Sequence, residues 1–197
     1  MDNVQRYTRT AIILHWLVAF MILGMFALGW YMSDLPKDPP KTSSLDLFDL
    51  GFYTIQFTEP LTPRTFYFNL HKSFGVTILG LVFFRIYWKF THIAPAMPTS
   101  MQEWQAMVAK LVHKVLYLLM LALPISGFVM SMYSKYGIKW FGLKLISGLD
   151  NNPLREQLLQ VHEVLGVILL VVVAVHAGAA FKHKLWDKDD VWRRMSL

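Results

Sequence analysis

Val161–His183 reads VHEVLGVILLVVVAVHAGAAFKH, an almost unbroken apolar run with a histidine near each end and a third at its close. A helix advances about 100° and 1.5 Å per residue, so the second imidazole, His176, returns to within about 40° of His162, about 21 Å along the axis. One face of one helix therefore offers two nitrogen ligands, one toward each side of a hydrocarbon layer. Metal-binding groups inside a membrane span are costly and point to function by default. What matters next is what the remaining chain sets opposite them.

The chain has 197 residues, 55% hydrophobic and only 16% charged, with a mean hydropathy of +0.39. That is too apolar for an ordinary soluble domain and fits one integral membrane unit. Cysteine is absent, which excludes disulfides, iron–sulfur ligation, thiolate-bound zinc and thioether-linked heme together. Seven histidines remain as metal-ligand candidates. The 14 Phe, 8 Tyr and 7 Trp suit interfacial belts and cofactor packing, and lipid anchoring alone accounts for most of them. The net charge of +6 fits basic membrane flanks better than nucleic-acid binding.

Four apolar runs predict an all-α, four-helix transmembrane bundle forming a single domain over residues 1–197, with spans at about 11–32, 66–90, 107–131 and 157–180. The first run follows Arg6 and Arg9, outlasts a signal peptide's apolar region and lacks a small-x-small cleavage site, so it reads as a retained helix. Pro124, followed by Ser126 and Gly127, is expected to bend the third span. Outer loops are expected at about 33–65 and 132–156. Within the first, the apolar piece Leu45–Phe57 is too short and polar to span, and is expected to lie on the membrane surface as a short helix. The tail FKHKLWDKDDVWRRMSL alternates charge with Trp and is expected at the interface. With both termini on one side, that side carries eleven of the 19 Lys and Arg residues and the other side eight. The bias predicts termini on the cytoplasmic side.

Depth sorts the histidines into two layers. His15 and His176 lie just inside the cytoplasmic ends of helices one and four; His71 and His162 lie just inside the outer ends of helices two and four. Each pair offers two axial nitrogens to a planar cofactor between helices, and heme b accepts bis-His ligation without a thioether. A lone buried histidine is more often a hydrogen-bonded core residue, but four at matched depths favour heme. Zinc or copper suits imidazole, yet two ligands per site are incomplete. His113 also lies in the inner half, so depth alone does not choose between it and His15. His183 continues the His176 stripe to the membrane edge, where it could hold a propionate or a quinone oxygen, or simply snorkel beside Lys182 and Lys184. His92 falls in a loop. Gly24, Gly29, Gly75, Gly80, Gly166 and Gly178 leave room for a porphyrin, or equally for close helix packing.

Several pieces together resemble the prokaryotic cytochrome b561 family of di-heme membrane cytochromes: His15-Trp16, LHKSFG at 70–75, HKVLYLLMLALP at 113–124 with Ile125-Ser126-Gly127, Val161-His162-Glu163, Val175-His176-Ala177 and KHKLWDKDD at 182–190. The architecture is also similar to the membrane subunits of formate dehydrogenases and nickel–iron hydrogenases. The resemblance covers nearly the whole chain except the first outer loop. It implies two b hemes, with His15 and His176 ligating the inner one and His71 and His162 the outer one. It leaves His113 beside a heme, toward a propionate or quinone, where His183 and Arg85 are candidates by their own position. It further implies electron transfer from superoxide at the outer side to ubiquinone. On the outer side, Lys72, Lys135, Lys139, Lys144 and Arg155 would draw a small anion toward the outer heme, against the opposing charge of Asp34, Asp38, Asp46, Asp49 and Glu59. Two rival readings remain: an electron-transfer subunit fed by a dehydrogenase, hydrogenase or soluble cytochrome, and a non-redox transporter or scaffold.

Overall fold

A computed structural model describes residues 6–97 and 101–196. Its frame is four helices: α1 (Arg9–Asp34), α2 (Pro63–Thr91), α3 (Glu103–Met132) and α4 (Asn152–Lys182). All four are long and apolar enough to cross a membrane. Each begins where a polar side chain can satisfy an otherwise unpaired helix N–H. Thr8 accepts from Ala11 N, Thr62 from Thr65 N and Asn151 from Leu154 N, while Gln102 and Gln105 form a reciprocal capping box. Pro63 occupies the first position of α2, where its missing N–H costs nothing. α3 continues through Pro124 to Met132.

The four helices share one core: Val18 and Ile22 of α1, Ile78 and Val82 of α2, Leu116, Leu119 and Met120 of α3, and Leu169 of α4. Outward-facing apolar residues such as Phe20, Phe83, Val164 and Val171 remain exposed, as lipid-facing positions do in a bundle that spans a bilayer. α1 and α2 run antiparallel in a register fixed along their length. The Tyr31 ring meets Tyr67, Gly29 faces His71 and Met25 faces Gly75, and Arg85 reaches His15.

The connection after α1 corrects the expected surface helix at Leu45–Phe57. It is an antiparallel hairpin, β1 (Thr42–Asp46) and β2 (Thr54–Leu61), joined through a 3₁₀ turn at Leu47–Asp49. Phe48 and Asp49 both take positive φ, at 59° and 55°, which ends any helix there. Leu45, Leu47, Phe48 and Phe57 pack on Leu28 and on Tyr67, which is fully buried, and Tyr67 Oη accepts from Phe48 N at 2.7 Å. The apolar residues of the loop therefore serve a hairpin that roofs α1 and α2.

The connection after α3 holds a second hairpin, β3 (Ile138–Trp140) and β4 (Leu143–Ile146). At its base Gly137 and Gly148 approach so closely that a Cβ on Gly148 would sit 1.9 Å from Ser134 O. The chain can make that crossing only with glycine. At the other end of the bundle the tail after α4 forms a π turn (His183–Asp187) and a 3₁₀ turn (Trp192–Met195). It folds back under α1: Trp16 Nε1 donates to Met195 O at 2.7 Å, and Trp192 packs on Trp16 and Phe181.

Candidate functional site

The histidines gather at two levels along α4. Toward the hairpin end, His71 and His162 face each other with ring centres 6.4 Å apart. Toward the termini, His176 lies 6.1 Å from His15 and 5.2 Å from His113, ring centre to ring centre. Two imidazoles bonded to opposite sides of one metal, each through a metal–nitrogen bond of about 2.0 Å, have ring centres about 6 Å apart. The pairs His71–His162 and His15–His176 meet that spacing; His113–His176 is too close for it.

The hairpin-end pair is prepared for ligation. His162 Nδ1 lies 3.1 Å from Leu123 O and 3.0 Å from Ser126 Oγ. Ser126 gives its own proton to Leu123 O at 2.7 Å, so both neighbours of Nδ1 are acceptors. Those partners place the ring proton on Nδ1 and leave the Nε2 lone pair free. Such a carbonyl behind a ligating histidine fixes its orientation and raises its basicity. Gly127 makes the arrangement possible, because a Cβ there would stand 2.9 Å from His162 Cε1. Opposite, His71 Nδ1 is buried without a protein partner, and Gly29 leaves its ring open space.

The termini-end cluster is electrostatically different. Arg85 Nη2 lies 2.7 Å from His15 Nδ1. A guanidinium only donates, so in this contact Nδ1 accepts; ligation through Nε2 would require the ring proton on Nδ1 and Arg85 turned to another acceptor. Arg85 and Lys89 both stand over the Tyr117 ring, and neither forms an ion pair among the described residues. Among the described residues the level therefore has three imidazoles and two cations with no carboxylate paired to them.

His183 does not join this cluster through its Nδ1, which is bound by Asp189 at 2.6 Å and Asp187 at 3.2 Å within the tail. Lys182 bonds Asp187 as well. His92 is exposed and stacks on Trp88. Sequence reasoning missed Gly127, Ser126 and the Leu123 carbonyl as partners of His162. The Pro124-Ile-Ser-Gly run was their signal, but it read as a bend.

At the hairpin end a cavity of about 580 Å³ opens between the tops of α2, α3 and α4. Lys37, Lys41, Arg64, Lys72, Lys135 and Arg155 line it, with Asp38 as its acidic residue. Lys139 and Lys144 lie instead on the β3–β4 hairpin.

A four-helix membrane bundle with paired histidines at two depths defines a cytochrome-type electron-transfer protein, and sequence comparison agrees. Residues 6–196 match the family described as prokaryotic cytochrome b561, and the chain belongs to that family. It is 28% identical to cytochrome b561 homolog 1 of Escherichia coli over 98% of this chain and 97% of that protein. It is likewise 28% identical to cytochrome b561 homolog 2 of the same organism, covering 98% and 93%. To the probable superoxide oxidase CybB of Yersinia pestis it is 27% identical, covering 97% and 96%. Family membership makes the chain a multi-pass membrane electron-transfer protein of the b-heme class. The residues fit that group: two imidazole pairs at a separation that suits ligation, a buried histidine nitrogen without a partner, and His162 held with its Nε2 free.

Proposed function

We propose that the chain binds two b hemes, one between His71 and His162 and one between His15 and His176, and relays electrons along α4 from an outer-side donor to the quinone pool. The observation that carries this reading is the recurrence of one ring spacing, 6.4 and 6.1 Å, at two levels of the same helix. Heme supplies a one-electron carrier at each level, which divides the membrane crossing into short hops. The protein's own residues do the rest. Leu123 and Ser126 orient His162, Gly127 and Gly29 leave the rings their space, and α4 fixes the distance between the levels. His113, too near His176 to share its metal with the pair geometry, serves beside the inner site, with Arg85 toward a propionate or a quinone oxygen. His183 remains a residue of the tail at the inner membrane edge, where quinone would approach.

Superoxide is the donor favoured here. The name of the Yersinia pestis relative supports it, and so does the cavity with six cations against Asp38, which draws a small anion by its field. The basic bias of the termini side supports cytoplasmic termini in a bacterial inner membrane, with the cavity facing outward. A second reading, electron supply by a partner protein, is favoured by the β1–β2 turn, where Leu50, Phe52 and Tyr53 are exposed and Phe52 is 88% accessible. Stopped-flow mixing of the purified oxidised protein with superoxide, then of the reduced protein with ubiquinone, separates the two. Heme reduction by superoxide alone and reoxidation by quinone are expected. No reduction without an added redox protein would transfer the assignment to the second reading.

A further inference from the structure

The β3–β4 hairpin does not stand above the bundle; it descends beside α2. Lys72 Nζ donates to Gly137 O at 3.0 Å, Phe141 N donates to Ser73 Oγ at 2.9 Å, and Trp140 Nε1 donates to Thr77 Oγ1 at 3.0 Å. The α1–α2 register gives the depth. Gly29 faces His71 and Met25 faces Gly75, so Ser73 is level with about residue 27, roughly seven residues or about 10 Å inside the Asp34 end of α1. The turn therefore enters the zone occupied by one lipid leaflet. Irregular backbone is tolerated at such depth only where its polar groups find partners. Strand pairing and the side chains of Lys72 and Ser73 provide several.

What the hairpin presents there is specific. Phe141 takes φ 46° and Gly142 φ 91°, the two positive values of a two-residue turn between Trp140 and Leu143. A phenylalanine in that region is strained, and it is held by the Ser73 bond and by an edge contact with Phe74 at 5.5 Å. The strain leaves Trp140, Phe141 and Leu143 exposed by 41, 56 and 61%. Directly behind them Lys139 and Lys144 are paired across the strands. Like charges opposite one another destabilise a hairpin, and among the described residues neither lysine has an ion-pair partner. An apolar, aromatic tip with two uncompensated ammonium groups one step behind it matches the layering of a phospholipid leaflet, acyl chains below and phosphates above.

We propose that this hairpin is a binding site for an acidic phospholipid. Trp140, Phe141 and Leu143 enter the acyl region beside α2, and Lys139 and Lys144 together hold the headgroup phosphate. The bound lipid offsets the repulsion between the lysines and presses β3 against Lys72 and Ser73, the two residues that follow His71.

The chain has no cysteine, so L143C in the heme-loaded protein gives a single spin-label position. In nanodiscs the label should be relaxed more by oxygen than by a water-soluble nickel chelate, as for a site within the leaflet. Native mass spectrometry of heme-loaded protein from nanodiscs of phosphatidylcholine mixed with phosphatidylglycerol should show phosphatidylglycerol enriched on the protein. That enrichment should fall about five-fold for each lysine removed, in K139Q and K144Q, the size found for basic residues beside an anionic leaflet. K139R/K144R should keep it. The Soret absorbance of each variant verifies the fold. A label accessible to the nickel chelate, or shielded from both reagents by a protein partner, would overturn the proposal. So would equal retention of the two lipids by the wild type and the glutamine variants.

Discussion

The two histidine levels use the same residue type on the same helix, yet their surroundings are opposite. At the hairpin end His162 Nδ1 faces a carbonyl and a hydroxyl oxygen, 3.1 and 3.0 Å away. At the termini end His15 Nδ1 faces a guanidinium at 2.7 Å. The first ring is held as a proton donor with an electron-rich Nε2; the second sits beside a cation that must turn from Nδ1 before Nε2 can ligate. Acceptors behind a ligand favour the oxidised metal, and a nearby cation favours the reduced one. With the two hemes proposed above, this difference predicts a gradient that would draw electrons from the hairpin end toward the termini. Sequence position alone makes the sites look equivalent; their neighbours on α2 and α3 distinguish them.

The largest expected effect is loss of one level at a time. H71A and H162A should each lower the pyridine hemochromogen count from about two hemes per chain to about one, and H15A and H176A should do the same at the other level. H113A should keep both, which would set it outside the ligand set. Next comes R85Q. Arg85 stands 2.7 Å from His15 Nδ1; removing a unit charge at about 6 Å from a metal held there, at an effective dielectric near 20, should lower the higher midpoint potential by roughly 120 mV. R85K should keep most of it. G127A forces the His162 ring aside, since its Cβ would stand 2.9 Å from Cε1. It should destabilise the hairpin-end site by about 1–3 kcal/mol, seen as heme loss at that level on thermal titration followed in the Soret band. S126A should have the smallest effect, about 1 kcal/mol or less, because Leu123 O still accepts from His162.

Much of this was legible in the chain. Apolar runs placed all four helices, and their lengths brought His15 level with His176 and His71 level with His162. The hairpins were not legible. Leu45, Leu47 and Phe57 carry the composition of a surface helix, and only the positive φ at Phe48 and Asp49 shows why no helix forms. The second turn, Phe141-Gly142, lacks the Asn-Gly or Asp-Gly signature of such hairpins; it is imposed by Ser73 and Phe74, 67 or more positions earlier in the chain. Arg85 was visible as a cation near the inner level, but its bond to His15 spans 70 positions and depends on the α1–α2 register. His183 appeared on the His176 stripe, and the tail's fold gives its Nδ1 to Asp187 and Asp189 instead.

Potentiometric titration of the wild type beside H162A and H176A tests the two-level gradient most directly. The wild type should titrate as two one-electron components of unequal potential. H162A should retain only the higher component, and H176A only the lower. Loss of both components from either folded variant, or retention of the components in the reverse assignment, would contradict two separate sites sharing α4 with electrons drawn toward the termini.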